Sequence, residues 1–220
     1  MSRLREPFVT LCLTTVLCAA AVLTVVLRTR AAPPARPIVC RSCIRPAGLA
    51  AATAQDVVGK PMPALHFDRW LNTAGDKPLD TAGKVTLYRW WTDGCTHCEK
   101  TLPALELLRQ QYSPHGLQVV AVYHPKPPAP VRDEDVRRWA HDMGYDGPVA
   151  LDLDWSELKK FYLDTVPRPA TSASFLVDQA GVIRFVHPGP RFYPSDDAAD
   201  AKEDADYRRL DAAVTTLLAR

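Results

Sequence analysis

Two apolar runs set the plan of the chain. Residues 85–91 and 117–123 are each seven residues long and almost continuously apolar, the pattern of strands covered on both faces in a parallel sheet. Between them Leu102, Leu105 and Leu108 recur at helical spacing and predict a helix running to about Tyr112. Val136, Trp139, Ala140 and Met143 fall at i, i+3, i+4 and i+7, behind the acidic start Asp133, Glu134 and Asp135, which predicts an amphipathic helix. Residues 149–151 read as a short strand. Asp154 with Glu157 predicts a capping arrangement for a helix through Trp155, Leu158 and Tyr162. Residues 174–178 and 182–187 flank the turn Gln179, Ala180 and Gly181 as a hairpin, and Tyr207, Leu210, Val214 and Leu217 give a closing helix. Upstream, 59–65 reads as an extended entry, 65–71 as a short strand and 72–84 as turns and loop. Strand, helix, strand, helix, hairpin and helix predict an α/β domain, a mixed central sheet flanked by helices.

The N-terminal third has a different texture. Residues 8–27, from Phe8 to Leu27, contain no charged side chain and are long enough to cross a hydrocarbon core of about 30 Å as a transmembrane helix. Arg3 and Arg5 precede the run. A cleaved signal peptide ending near Ala19, Ala20 and Ala21 is the competing reading, but Val22 and the residues after it continue the apolar run, which favours an uncleaved anchor. Arg28, Arg30 and Arg36 offset the usual charge bias, so a cytoplasmic domain stays open as an alternative orientation. Cys12 and Cys18 read as small apolar fillers in this helix. The expected organisation is an anchor or signal segment over 1–30, a Pro/Ala-rich tether over 31–55, and one domain over 56–220. A chain of 220 residues with 47% hydrophobic content suffices for this and is short for two full domains. Lys+Arg 27 against Asp+Glu 25 leaves +2, too little to imply a polyanionic partner, so nucleic acid is not indicated.

Four of the six cysteines form two Cys-X-X-Cys pairs. Cys40 and Cys43 lie in the tether, where a second redox pair, a metal clip and an incidental local disulfide are all open. Cys95 and Cys98 lie at the junction between the first apolar run and the helix after it. The first turn of a helix leaves backbone N–H groups unpaired and carries partial positive charge, which favours thiolate over thiol. The two-residue spacer lets the second sulfur reach the first, so the pair can hold or release two electrons. Cys95 would be the exposed nucleophile and Cys98, one turn in, the resolving thiol.

Strand, Cys95-Thr96-His97-Cys98 and Pro103, together with Gly59-Lys60-Pro61-Met62-Pro63 upstream and Ser174-Phe175-Leu176-Val177-Asp178 downstream, resemble the thioredoxin superfamily. Within it they resemble the membrane-tethered, redoxin or AhpC-TSA-like branch typified by TlpA and ResA. The resemblance implies a thioredoxin-like fold and a thiol-disulfide oxidoreductase. It implies no cofactor beyond the dithiol, no metal, protein thiols or disulfides outside the cytoplasm as partners, and a monomer. It places the domain on the periplasmic or extracytoplasmic side of a bacterial inner membrane. His97 would tune the couple, its Thr-His spacer resembling the Pro-His spacer of the strongly oxidising DsbA. A solvent-facing histidine is the plainer reading of the same residue, and Glu99 in the first turn works against a thiolate.

Three positions depart from the family. Gly94 stands where a tryptophan usually precedes the first cysteine. Arg89 stands where many relatives keep a buried acid, and would favour ionised sulfurs if it faces them. Ser172 stands where a cis-proline is expected, the nearest proline being Pro169. Residues 168–173, with Pro169, Thr171 and Ser172, are therefore the expected substrate-facing loop. Trp91 is a candidate for a substrate surface, and packing of one of Trp90 and Trp91 inward and the other outward on the strand is the alternative. Thr92, three residues before Cys95, fits a peroxide reductase, but Tyr88 replaces the proline expected before it. A copper or other metal chaperone using Cys95 and Cys98 is the remaining alternative, disfavoured by the narrow spacing. Asp152 with Asp154, and His187, read as structural sooner than as ligands.

Overall fold

The computed structural model describes residues 54–166, 168 and 170–220. The uncharged run 8–27, Cys40, Cys43 and Pro169 lie outside the described residues. Among the described residues no helix is long and apolar enough to cross a membrane.

A six-stranded sheet forms from β1 (Arg69–Leu71), β2 (Val85–Trp91), β3 (Leu117–Tyr123), β4 (Val149–Leu151), β5 (Ser174–Val177) and β6 (Ile183–His187), in the order β1-β4-β3-β2-β5-β6. β2, β3 and β4 run parallel; β1, β5 and β6 each pair antiparallel to their neighbours. The helices are α1 (Thr96–Tyr112), α2 (Asp133–Asp142), α3 (Ser156–Leu158, continued by the π turn Lys159–Leu163) and α4 (Ala201–Leu218). Every residue of β2 is buried, as its unbroken apolar run requires. Its alternating side chains divide the core. Leu87 and Trp91 pack with Leu102, Leu105 and Leu108 of α1 and Leu210 and Val214 of α4. Tyr88 and Trp90 point the other way, against Leu158, Phe161, Tyr162 and Phe175.

Two expectations about local structure need correction. The strand expected over 65–71 pairs only across Arg69–Leu71, because its partner β4 is itself three residues long. Phe67 instead turns its ring edge-on to Trp70, 5.4 Å away. The capping box expected from Asp154 and Glu157 does not form. The Asp154 carboxylate accepts from Ser156, and Glu157 is buried with its carboxylate on Lys160 Nζ at 2.6 Å. The helix start is held by Asp152, whose carboxylate accepts the N–H groups of Glu157 and Leu158, both at 3.1 Å, and the Trp90 indole N–H at 2.9 Å.

Asp152 is 1% exposed, and burial raises its pKa. Removing it strands three buried donors at once. Asp152→Ala should therefore lower unfolding free energy by about 3–5 kcal/mol, and Asp152→Asn, which keeps one carbonyl oxygen, by less. Urea denaturation checks this; a loss under about 1 kcal/mol for the alanine variant would show that the three bonds contribute little.

Candidate active site

Trp91 ends β2, and the chain turns through Thr92, Asp93 and Gly94 into α1. Gly94 has φ +61°, a left-handed conformation that L side chains rarely adopt, which is why glycine suits this turn. The Tyr123 hydroxyl, at the end of β3, donates to Asp93 Oδ1 at 2.7 Å and pins this turn. Cys95 is then the N-cap of α1. Its sulfur accepts the Cys98 N–H at 3.3 Å, taking the place of the oxygen of a usual cap.

The two sulfurs differ sharply in environment. Cys95 is partly exposed and Cys98 is fully buried, and both are free thiols. The hydrogen bond from the Cys98 thiol is the largest cause pulling the Cys95 pKa down to about 5, against the opposing cost of burial. The backbone N–H groups of Cys98 and His97 add to it. The His97 imidazole contributes least of these, and its side chain is exposed. Cys98 is pushed strongly up, first by donating that same hydrogen bond and then by burial, with the charge of Arg89 working the other way. The dithiol form is thus a thiolate at Cys95 and a thiol at Cys98.

Arg89 is 0% exposed. Its Nη1 donates to the Ser172 carbonyl at 2.8 Å and to Ser174 Oγ at 3.3 Å, and its Nη2 to the Pro190 carbonyl at 2.6 Å. Phe192 lies beneath the guanidinium, 5.5 Å from ring centroid to Cζ. Among the described residues no carboxylate pairs with it. Burial lowers its pKa, and the charges of Cys98 and Cys95 are the leading opposing causes.

The Trp90 N–H donates to the Ala173 carbonyl at 3.0 Å, which draws the loop before β5 across the start of α1. Ser172 is buried there, with Oγ 3.7 Å from Cys98 Sγ. Its hydroxyl faces the Cys98 sulfur, and the residue is buried where the sequence reading expects an outward-facing one. Thr171 is partly exposed as a residue, but its hydroxyl is buried and without a hydrogen-bond partner. The cis X–Pro bonds among the described residues, Lys126–Pro127 and Gly189–Pro190, are at neither position. Trp91 is wholly buried and packs edge-on to Tyr123 at 5.0 Å, so its place is the core and not a substrate surface. His187 is likewise structural: its Nε2 lies 3.3 Å from the Asp206 carboxylate and its Nδ1 accepts the Gly189 N–H. Phe192, Pro190 and the Tyr123–Asp93 bond carried no sequence signal, because each depends on a long-range contact. No group of three His, Cys, Asp or Glu residues among the described ones is placed to hold a metal ion.

The AhpC/TSA family pattern matches residues 58–186, which contain the sheet, the cysteine pair and the loop facing it. The chain belongs to the AhpC/TSA family. Over 127 residues, 56% of the chain, it is 30% identical to Protein DipZ of Mycobacterium bovis, covering 18% of that protein. Over 104 residues it is 26% identical to the thiol-disulfide oxidoreductase ResA of Bacillus anthracis, covering 47% of this chain and 54% of ResA. The chain therefore spans about half of one relative's length and less than a fifth of the other's. Among solved structures, a thiol-disulfide isomerase from Corynebacterium glutamicum superposes with a TM-score of 0.53 at 21% identity, covering 73% of this chain and 97% of that one. The fold is thioredoxin-like, as the resemblance implied.

Proposed function

We propose that this family member is a thiol-disulfide oxidoreductase that exchanges the Cys95/Cys98 couple with cysteines of exported proteins. The observation that carries it is the asymmetry of the pair: a partly exposed sulfur at a helix N-cap, accepting the Cys98 backbone N–H and with its pKa at about 5, beside a fully buried second cysteine. Cys95 thiolate attacks a partner disulfide and forms a mixed disulfide, releasing one partner thiolate. Cys98 then attacks Cys95 Sγ, the Cys95–Cys98 bond forms, and the second partner sulfur leaves as a thiol. Run in reverse, the same steps oxidise a partner dithiol. The chemistry is complete with protein sulfur alone. The uncharged run 8–27 would anchor the domain in a bacterial inner membrane, facing the periplasmic or extracytoplasmic side.

The thiolate at Cys95 and the cation of Arg89 both favour the reduced form, which sets the couple on the oxidising side of thioredoxin. Equilibration of the full chain with glutathione buffers should give a potential above about −270 mV. A value at or below that figure, or failure of the two sulfurs to join, refutes the reading. A peroxide reductase is separated by assay: consumption of hydrogen peroxide faster than exchange with a protein disulfide would put it first.

A further inference from the structure

Resting on that reading, the structure assigns a role in its second step. We propose that Ser172 is a catalytic residue of resolution: its hydroxyl donates to Cys98 Sγ as that sulfur gives up its proton and attacks the mixed disulfide, while Arg89 holds Ser172 in place.

Cys98 is fully buried, and a thiolate in such a place needs donors. Among the described residues the Ser172 hydroxyl faces its sulfur at 3.7 Å and the backbone of Thr92 bonds it, while the charge of Arg89 favours its ionised form. Among the described residues no carboxylate is bonded to Cys98 or Arg89. Either atom of the Ser172–Cys98 pair can donate while Cys98 is a thiol; once Cys98 gives up its proton only the Ser172 hydroxyl can. Ser172 is clamped from behind. Its carbonyl accepts from Arg89 Nη1 at 2.8 Å, and Gly189, at φ +90°, packs so close that a Cβ there would come within 2.4 Å of the same oxygen. With the backbone fixed on that side, Oγ is left facing Cys98.

The step balances without any other reactant. The Cys98 thiol proton leaves with the departing partner sulfur, the Cys95–Cys98 bond forms as the Cys95–partner bond breaks, and both electrons go to the partner. Because Cys95 carries its own hydrogen bonds, Ser172 should act on the second step and leave the first alone.

Dithionitrobenzoate separates the two, since the first thionitrobenzoate is released by Cys95 and the second by Cys98. With the reduced full chain in stopped flow, Ser172→Ala and Ser172→Val should release the first within twofold of the native rate. They should release the second at least about tenfold more slowly, with the mixed disulfide visible by mass. Ser172→Thr matches valine in shape and restores the hydroxyl, so it should resolve at near the native rate even if alanine loosens the loop. Native-rate resolution in the valine variant, equal slowing of both steps, or threonine as slow as valine would overturn the assignment. If the native protein releases no first thionitrobenzoate, the exchange reading itself fails, which is a separate result.

Discussion

Replacing Cys95 with serine is expected to abolish disulfide exchange, by more than about a thousandfold, whereas Cys98→Ser stalls halfway and accumulates covalent adducts with partner proteins. The reason is the division of labour between the two sulfurs. A serine hydroxyl at the N-cap would keep the cap hydrogen bond but is not ionised near neutral pH, so the helix survives and the nucleophile does not. In Cys98→Ser the nucleophile remains and the second attack is missing. Removing the donor at position 98 gives the cleanest titration of the first sulfur. The Cys98 thiol is the largest cause of its low pKa, so native Cys95 should alkylate with a half-maximal rate near pH 5 and Cys98→Ala, which leaves no donor there, with a midpoint shifted upward. The sign follows from thiolate being the reactive form: in the native protein its fraction falls as pH falls through about 5, and the rate is flat from pH 6.5 to 8. An ordinary thiol, near 8.5, would climb throughout that range. A native midpoint near 8 would remove the electrostatic basis of the site, and full exchange activity in Cys95→Ser would remove its chemistry.

The sequence carried more of this than its composition hints, and the reason lies in how local the signals are. β2 and β3 were legible because a strand buried on both faces has no polar side to hide, and α1 because its leucines meet one sheet face. The cysteine pair announced itself through a local junction that needs no tertiary knowledge. Arg89 was visible as the charge within a run that is otherwise uncharged, and its depth followed from the strand it sits on. What it touches was not visible, since Ser172 and Pro190 are 83 and 101 residues away. The misplaced capping box has the same origin. Asp154 and Glu157 have the right spacing, but the carboxylate that holds the helix start comes from Asp152, fixed across the sheet by Trp90. Ser172 was expected to meet substrate because the family puts a cis-proline there; with serine, a side chain able to bond sulfur turns inward to Cys98.

Arg89→Met should make the couple more reducing by at least about 30 mV, corresponding to about 1.4 kcal/mol for two electrons. The guanidinium is fully buried with no carboxylate partner among the described residues, so the charges left to compensate it are chiefly the sulfurs themselves. It favours their ionised forms, which exist only in the dithiol state, and thereby stabilises the reduced protein over the disulfide. The effect on overall stability is a contest of similar terms. Losing a buried unpaired charge relieves several kcal/mol of desolvation, while the Ser172 and Pro190 carbonyls lose their donors at about 1–3 kcal/mol each. These costs fall on both redox states alike and cancel in the potential, so a change in potential isolates the interaction with sulfur. Denaturant curves on the two forms provide the cross-check, because the change in their stability difference must equal the change in potential. Equal shifts of both forms with an unmoved potential would make Arg89 a scaffold for the 172–174 and 190 backbone and nothing more.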